Sequence, residues 1–338
     1  MKKFLFIFGL FFIVWVSVYG DDSPVLDLCN KNVPGFQLPD EKGVMHTSSE
    51  CKGKWHILFF LPKRCDKYGD LCFFKEAYPW LAQQNVELFC VSGESHAEVK
   101  DAKERLQIPF TMLCDQTKTV LNKVTKTPYD RTTLFVDEQG VIRKVIQASV
   151  VETHLLEIVM FLIKKNITTK KLNQKKEAQT GLTQSKTAPW GLLGEKALNF
   201  KLPNEQGKIW ELNDSSNNRW RVLLFLPEKD TPIQQKHLLF LAQAYDWLQG
   251  YAAEIVWISS NTILELGAIK NCLGIPFITL SDNQRSVSRQ YDISSTLHET
   301  YTTLIVDKFG VVREVITDMT AERHVLKTLF FFMKRSPD

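Results

Sequence analysis

The same series of short motifs occurs twice along this 338-residue chain. Four motif pairs keep their order at a spacing of 164 to 170 residues: Phe36–Gly43 with Phe200–Gly207, Ile57–Pro62 with Val222–Pro227, Ile108–Asp115 with Ile275–Asp282, and Thr132–Asp137 with Thr302–Asp307. Chance similarity does not keep four motifs in one order, so a single domain has been duplicated. Two copies are too few for a solenoid, and the chain is therefore predicted to fold as two globular domains.

A polar segment separates the two copies. Residues 166–190 are rich in Lys, Thr, Gln and Ser without an apolar period, which indicates a flexible linker. We therefore expect one domain over residues 21–165 and the other over residues 191–338. Hydrophobic residues make up 44% of the chain and charged residues 24%, which are ordinary values for folded domains and exclude a disordered chain.

The first twenty residues, 1–20, have the pattern of an export signal peptide. Lys2 and Lys3 precede an apolar run from Phe4 to Val18, and Gly20 supplies a small residue at the cleavage point. Cleavage is the favoured interpretation, although a run of this length also suits an uncleaved anchor. Either way, the domains are expected outside the cytoplasm: secreted, periplasmic or in a secretory-pathway lumen.

The net charge of +4 does not indicate nucleic-acid binding. Much of the positive charge lies in the leader and in residues 164–186, which hold seven lysines and one glutamate. Recognition of nucleic acid needs a basic face on a folded domain. We therefore expect no nucleic-acid partner.

Each copy alternates strand and helix patterns. Three short apolar runs of the first copy are typical of buried strands: His56–Leu61, Val86–Val91 and Thr133–Val136. Each copy closes on a segment with helical spacing, Val151–Leu162 in the first and Leu326–Met333 in the second. This alternation predicts an α/β sheet flanked by helices. Turn sequences at Asp137–Gly140 and Asp307–Gly310 suit hairpins, so the sheet is predicted to be mixed.

The chain contains seven cysteines: Cys29, Cys51, Cys65, Cys72, Cys90, Cys114 and Cys272. Disulfides persist in exported proteins, and an odd count leaves at least one thiol unpaired within the chain. There is no Cys-x-x-Cys and no Cys/His cluster at zinc spacing, so neither a metal nor any other cofactor is indicated. Cys29 and Cys51 flank the first strand region and are predicted to form a structural pair.

Three stretches of the first copy resemble the peroxiredoxins of the alkyl hydroperoxide reductase / thiol-specific antioxidant family: Pro34–Gly43, Lys52–Lys54 before a strand ending in Pro62, and Asp130–Asp137. The likeness covers nearly all of both copies and implies two tandem thioredoxin-like domains. In that family the active loop is Pro-x-x-x-Thr-x-x-Cys, and an arginine ahead of the Thr-x-Leu strand steadies the thiolate. The resemblance implies a peroxide substrate and a thiol reductant.

The second copy departs from the family motif. Pro227 and Thr231 stand at the family spacing, but Gln234 occupies the position of the peroxide-reducing cysteine and Tyr301 that of the arginine. A glutamine amide cannot form a thiolate, and Cys272 is expected to be a buried, small apolar side chain. The second domain is therefore predicted to be a pseudo-domain that offers a packing or partner surface.

The first copy keeps Pro62 and Arg131, but counting from the proline puts Asp66 in the threonine position and Gly69 in the cysteine position. Its segment from that proline to the end of the next strand is two residues shorter than in the second copy, so the register stays open. With the deletion inside the loop, Cys72 falls where some family members carry a resolving cysteine.

Cys72 is the favoured nucleophile of the first copy. Asp70 is a candidate N-cap residue, which would place Cys72 in the first turn of a helix, where backbone amides favour a thiolate. A structural Cys65–Cys72 disulfide and a redox-active pair both remain open. If the domain is active, Cys72 attacks peroxide, Cys65 condenses with the resulting sulfenic acid, and Arg131 supports the charge, beside the retained Pro62.

By the same resemblance, Cys90 and Cys114 end neighbouring strands and are expected to be buried thiols or a bridge. Two functions follow from the sequence. One is an exported thiol-dependent peroxidase or oxidoreductase, an antioxidant acting through the first domain. The alternative is a non-catalytic pseudo-peroxiredoxin that serves as a binding or structural protein. The sequence leaves the oligomeric state open.

Overall fold

The computed structural model describes residues 28–61, 67–125, 131–148, 151–169, 191–213, 218–227, 232–293, 300–318 and 320–335. The chain forms two compact units, Met1–Val151 and Glu152–Asp338, and each is described by itself. The predicted leader lies outside the described residues, as does the predicted linker from residue 170 onward. The domain boundaries drawn from the sequence stay a prediction.

The first unit contains a small hairpin and a five-stranded sheet. The hairpin pairs β1 (Gln37–Pro39) with β2 (Met45–Thr47), and the 3-10 helix Ser48–Cys51 follows it. The sheet strands are β3 (Trp55–Phe60), β4 (Val86–Ser92), β5 (Thr111–Cys114), β6 (Arg131–Val136) and β7 (Ile142–Ala148). Their order is β5-β4-β3-β6-β7, with β3, β4 and β5 parallel and with β6 antiparallel to both β3 and β7.

Three helices connect these strands: α1 (Lys67–Gln83), α2 (His96–Leu106) and α3 (Leu121–Val124). The next helix, α4 (Val151–Thr169), continues into the segment that was predicted to be linker. That prediction rested on the loss of apolar spacing, whereas the last turn of a helix can be carried by backbone hydrogen bonds without an apolar face.

The second unit repeats this arrangement. Its hairpin pairs β8 (Lys201–Pro203) with β9 (Ile209–Glu211). Its sheet strands are β10 (Trp220–Phe225), β11 (Ala253–Ser259), β12 (Ile278–Ser281), β13 (Tyr301–Val306) and β14 (Val312–Asp318), in the order β12-β11-β10-β13-β14. Its helices are α5 (Pro232–Gln249), α6 (Ile263–Leu273), α7 (Ser286–Gln290) and α8 (Ala321–Met333). The predicted fold, two α/β domains with mixed sheets, is confirmed.

The antiparallel part of each sheet is set by a tight turn. Between β6 and β7, the Gly140 amide donates to the Asp137 carbonyl at 2.9 Å, and the Asp137 carboxylate accepts from the Val141 amide. Gly140 has φ of +81°, which a residue with a side chain rarely adopts. The same bonds recur at Asp307 and Gly310, so the predicted hairpins are confirmed in both copies.

The inner strands of each sheet are buried because they are apolar on both faces, whereas the edge strands β7 and β14 also carry partly exposed charged residues. In the first unit, one core cluster joins β3, β4 and β6 to the hairpin through Leu58, Phe89, Leu134 and Leu38. The second unit has an equivalent cluster. No helix among the described residues is both long enough and apolar enough to span a membrane.

Candidate active site

In the first unit, the predicted site lies beside the start of α1. β6 runs antiparallel to β3, so the first residue of β6, Arg131, lies next to the end of β3. Of the four predicted site residues, Arg131 and Cys72 are described. Pro62 and Cys65 lie outside the described residues, and their roles remain predictions.

Arg131 is held by a carboxylate. Its Nε donates to Asp70 Oδ2 at 2.7 Å and its Nη2 donates to Asp70 Oδ1 at 3.1 Å. The side chains of Arg131 and Asp70 are only 12% and 4% exposed. A two-point, charge-assisted contact of this kind is among the stronger polar interactions in proteins. The guanidinium that the resemblance assigns to a thiolate therefore faces a carboxylate.

The predicted position of Cys72 is wrong. Helix α1 begins at Lys67, so Asp70 lies inside the helix instead of capping it, and Cys72 falls in the second turn. Positions two apart on a helix differ by about 200° in direction. Asp70 is buried against Arg131, whereas Cys72 is exposed. Arg131 therefore pairs with Asp70 on this helix, and its support of a thiolate at Cys72 stays a prediction.

Three other thiols of the first unit are buried: Cys51, Cys90 and Cys114. Burial raises the pKa of Cys51 to about 12 and that of Cys114 to about 11, and it raises the pKa of Cys90 as well. Because the thiolate is the nucleophile, burial makes these three thiols poor nucleophiles in the folded protein. Cys90 and Cys114 are unbridged, which confirms the expectation of buried thiols.

Two other expectations about cysteines are wrong. Cys29 and Cys51 are both free: Cys51 packs in the core, while Cys29 is half-buried in the segment that hydrogen-bonds to β7. Cys272 was expected to be buried and is exposed. It lies near the end of α6, a helix of which Leu266 alone is buried.

In the second unit, the matching site contains no thiol among the described residues. Gln234 is buried, and its Nε2 donates to the Pro227 carbonyl at 3.0 Å. One turn later on α5, the ring of His237 lies 4.8 Å from that of Tyr301, the first residue of β13. His237 Nε2 is also 3.0 Å from Nδ1 of His324 on α8. Aromatic and amide groups thus fill the place of a thiolate and an arginine.

These contacts align the two copies. Asp70 contacts the first residue of β6, and His237 contacts the first residue of β13. If Asp70 matches His237, then Lys67 matches Gln234, three positions earlier. Lys67 therefore stands at the family's cysteine position. Counting from the proline had placed Gly69 there. The missing two residues lie in the loop before α1. Cys72 then lies five positions after the family's cysteine position.

The family model of AhpC/TSA matches residues 29–145 and residues 193–315. The two matches together cover more than half of the chain. This chain belongs to the AhpC/TSA family. The match occurs once in each copy, which confirms the tandem duplication.

Two named peroxiredoxins agree with this membership of the AhpC/TSA family, and one solved structure is similar to part of the chain. A putative peroxiredoxin Bcp of Coxiella burnetii is 31% identical over 144 residues, covering 38% of this chain and 94% of the relative. The chloroplastic peroxiredoxin Q of Suaeda salsa is 30% identical over 144 residues, covering 38% of this chain and 64% of the relative. The crystal structure of peroxidoxin BcpB from Mycobacterium tuberculosis is 22% identical, covers 43% of this chain and 98% of that one, and has a TM-score of 0.39.

AhpC/TSA membership and the peroxiredoxin relatives support thiol peroxidase chemistry, an oxidoreductase activity with a peroxide as substrate and a thiol as reductant. The sites of this chain depart from the pattern that the family resemblance implies. Lysine and glutamine stand at the two cysteine positions, and the one arginine retained, Arg131, is paired with Asp70.

The roles of Asp70, His237 and His324 were not predicted from the sequence. One signal was present for the first two: counting back ten residues from the matching Trp80 and Trp247 pairs Asp70 with His237. For His324 the repeat offers a match in His154, but that match does not bring either residue to the site, because each lies on a helix remote in sequence.

Thiol labelling of the reduced full chain is expected to separate the cysteines by burial. Cys72 and Cys272 should react at the rate of exposed thiols. Cys51, Cys90 and Cys114 should react at least about 1000-fold more slowly, because they are reached only through opening of a domain that is stable by several kcal/mol. Mass spectrometry after timed maleimide labelling measures this, and labelling in denaturant is the control. Rapid labelling of Cys90, or a Cys29–Cys51 disulfide recovered from the protein before reduction, would contradict the placement.

Proposed function

We propose that the protein is an exported thiol-dependent oxidoreductase whose sulfur chemistry belongs to Cys72, and that the second unit is catalytically inactive. The observation that carries this proposal is the exposure of Cys72 on α1. The other described thiols of the first unit are buried or half-buried. Cys72 also lies on the helix that follows the family's active loop, at the position where some family members carry a resolving cysteine.

The chemistry at Cys72 follows the ordinary oxidation of a thiol. The thiolate attacks one oxygen of a hydroperoxide, the O–O bond breaks, and the products are a sulfenic acid and an alcohol or water once the leaving oxygen gains a proton. The Cys65 thiol then condenses with the sulfenic acid, which forms a disulfide and releases water. A dithiol reductant returns both cysteines to thiols and becomes a disulfide itself. Cys65 is assigned from the sequence.

Inactivity of the second unit rests on its residues. Gln234 has no sulfur, Tyr301 carries no positive charge, and Cys272 lies on the outer face of α6. Export rests on the apolar leader, which begins with Lys2 and Lys3.

A second candidate function is favoured by the Asp70–Arg131 pair. Because the carboxylate occupies the arginine, the charge that the family places beside a thiolate is neutralised in this chain. A pseudo-peroxiredoxin that binds a protein partner without catalysis would retain the fold and lose this charge in the same manner.

Peroxide consumption by the reduced full chain decides between the two functions. With hydrogen peroxide and a thiol reductant, the parent should consume peroxide faster than free cysteine, and Cys72→Ser should abolish the excess because the exposed nucleophile is gone. Cys65→Ser should accumulate a sulfenic acid at Cys72, which a dimedone adduct detects by mass spectrometry. Cys272→Ser is the matched control, since it removes an exposed thiol from the other unit and should change nothing.

Two outcomes contradict the oxidoreductase. If the parent consumes no more peroxide than free cysteine and no adduct forms at Cys72, the non-catalytic function is supported. If Cys272→Ser removes the activity, the assignment to the first unit is wrong.

A further inference from the structure

A chain of three polar side chains is buried in the second unit. His237 on α5 and His324 on α8 are both fully buried. His237 Nε2 lies 3.0 Å from His324 Nδ1, and His324 Nε2 lies 3.1 Å from Thr303 Oγ1 on β13. The Tyr301 ring packs against both imidazoles. Two helices and a strand therefore meet at a pair of histidines.

The pair suits two neutral rings. One proton is enough for the bond between His237 and His324, because one nitrogen donates and the other accepts. Among the described residues, His237 Nδ1 has no hydrogen-bond partner. If both rings were charged, two N–H groups would face each other across 3.0 Å. Charging either ring also places a cation where water does not reach, which is costly unless an anion is close.

The charged groups around the pair do not offset such a cation. On α8, Lys327 adds positive charge and lowers the pKa of His324 further. Glu322, on the same helix, forms an ion pair at 2.8 Å with Lys236 of α5. From β14, the Ile316 backbone offers His324 a neutral acceptor, and from β13 the Tyr301 phenol is neutral because burial raises its pKa.

Burial consequently disfavours the charged form of both rings. It lowers the pKa of His237 well below 6.5 and that of His324 to about 3. The first copy differs at the positions that match His237 and Tyr301, where Asp70 and Arg131 form an ion pair, and it keeps a buried histidine, His154, at the position that matches His324. The two copies have thus evolved opposite solutions for one buried contact.

We propose that the His237–His324 pair makes the second unit acid-sensitive, so that mild acidification separates α8 from α5 and β13. The sign follows from linkage. Because the pKa of each histidine is lower in the folded protein than its unfolded value of 6.5, the unfolded or opened form binds more protons at low pH. Stability is therefore full above pH 6.5 and declines as the pH falls from there toward about 3. Each histidine shifts the opening equilibrium by about tenfold per pH unit.

Hydrogen exchange of the full chain tests this acid response. Exchange is measured at about pH 7.5 and about pH 5, the range over which histidine switches act, and each rate is corrected for the intrinsic rate at that pH. Peptides covering α5 and α8 should open at least about tenfold more often at the lower pH. Peptides covering α1 and β6 serve as the internal reference and should change less.

Two variants distinguish the pair from a general effect of acid. His237→Asp with Tyr301→Arg transplants the ion pair of the first unit. His237→Leu with His324→Leu keeps the site neutral at every pH, and it stands in if the first variant does not fold. The leucine double variant should abolish the extra opening of α5 and α8 at low pH, and the transplant, which keeps His324, should reduce it. His56→Leu is the control: it removes a buried histidine of the first unit and should leave the acid-induced opening of α5 and α8 unchanged.

The outcome that overturns the proposal is wild-type protein in which α5 and α8 exchange equally at both pH values. Acid-induced opening that persists in the leucine double variant would also overturn it, because the response would then belong to other groups. The readout does not depend on peroxide chemistry, so the proposal stands or falls separately from the proposed oxidoreductase activity.

Discussion

Replacing Asp70 with alanine is expected to lower the free energy of unfolding of the first unit by about 3–5 kcal/mol, the usual cost of breaking a buried ion pair. The variant removes the carboxylate that accepts from Nε and Nη2 of Arg131. It leaves a guanidinium that is 12% exposed and that cannot lose its proton. The loss therefore comes mainly from removing the carboxylate that accepts two charge-assisted bonds from this buried guanidinium.

Urea denaturation of the full chain, followed by hydrogen exchange of α1 and β6 peptides, measures this effect. Asp70→Ala combined with Arg131→Leu is the matched control, because removing both charges should recover much of the stability that the single variant loses. Asp101→Ala provides a second control, since that carboxylate on α2 is 73% exposed. A loss of less than about 1 kcal/mol in Asp70→Ala, typical of a surface pair, would contradict the buried ion pair.

The same pair bears on catalysis. A guanidinium in two-point contact with a carboxylate stabilises a nearby thiolate or developing oxyanion less, because the carboxylate offsets its positive charge. The first unit thus keeps the family's arginine, and its ion pair with Asp70 weakens the effect of the positive charge on other groups. The chain belongs to the AhpC/TSA family. Peroxide turnover by this chain is a separate question, which the peroxide assay with Cys72→Ser addresses.

Replacing Asp115 with alanine is expected to lower the free energy of unfolding of the first unit by about 3–5 kcal/mol. Each buried donor that loses its acceptor costs about 1–3 kcal/mol, and water that enters the site recovers part of that cost. Asp115 is fully buried after β5. Its Oδ1 accepts from the amide and hydroxyl of Thr119, and its Oδ2 accepts from the amides of Val120 and Leu121 at 2.9 and 2.8 Å. Alanine leaves these donors without an acceptor.

The midpoint of chemical denaturation measures the change, and Asp115→Asn is the conservative control. Asparagine keeps one oxygen in the same place, so it should lose less than alanine. The second unit offers an independent repeat: Asp282 accepts from the amides of Val287 and Ser288, and Asp282→Ala should destabilise that unit similarly. If Asp115→Ala left the stability unchanged, these hydrogen bonds would not stabilise the first unit and the prediction would be wrong.

The duplicated α/β fold could be predicted from the sequence because its signals are local. Continuous apolar runs such as Ile57–Leu61 can be buried only as strands covered on both faces. The Asp137–Gly140 turn contains the glycine that a positive φ requires. These features depend on neighbours along the chain, and a repeat supplies each of them twice.

The sites could be predicted only in part. Arg131 and Tyr301 were located correctly because each begins a strand whose motif is intact. The register of α1 could not be predicted correctly, because the two-residue deletion lies in a loop that has no motif of its own. A shift of two positions turns a helical side chain by about 200°, which decides whether Asp70 or Cys72 faces Arg131.

The sequence by itself thus determined two tandem thioredoxin-like domains of the AhpC/TSA family and the absence of cysteine from the second copy's motif. Tertiary structure alone decided which side chains meet at the two sites. Asp70 with Arg131, and His237 with His324, are joined across 61 and 87 residues. Such pairs form because helices and strands distant in the chain bury one another's polar groups, and a buried polar group is stable only with a partner.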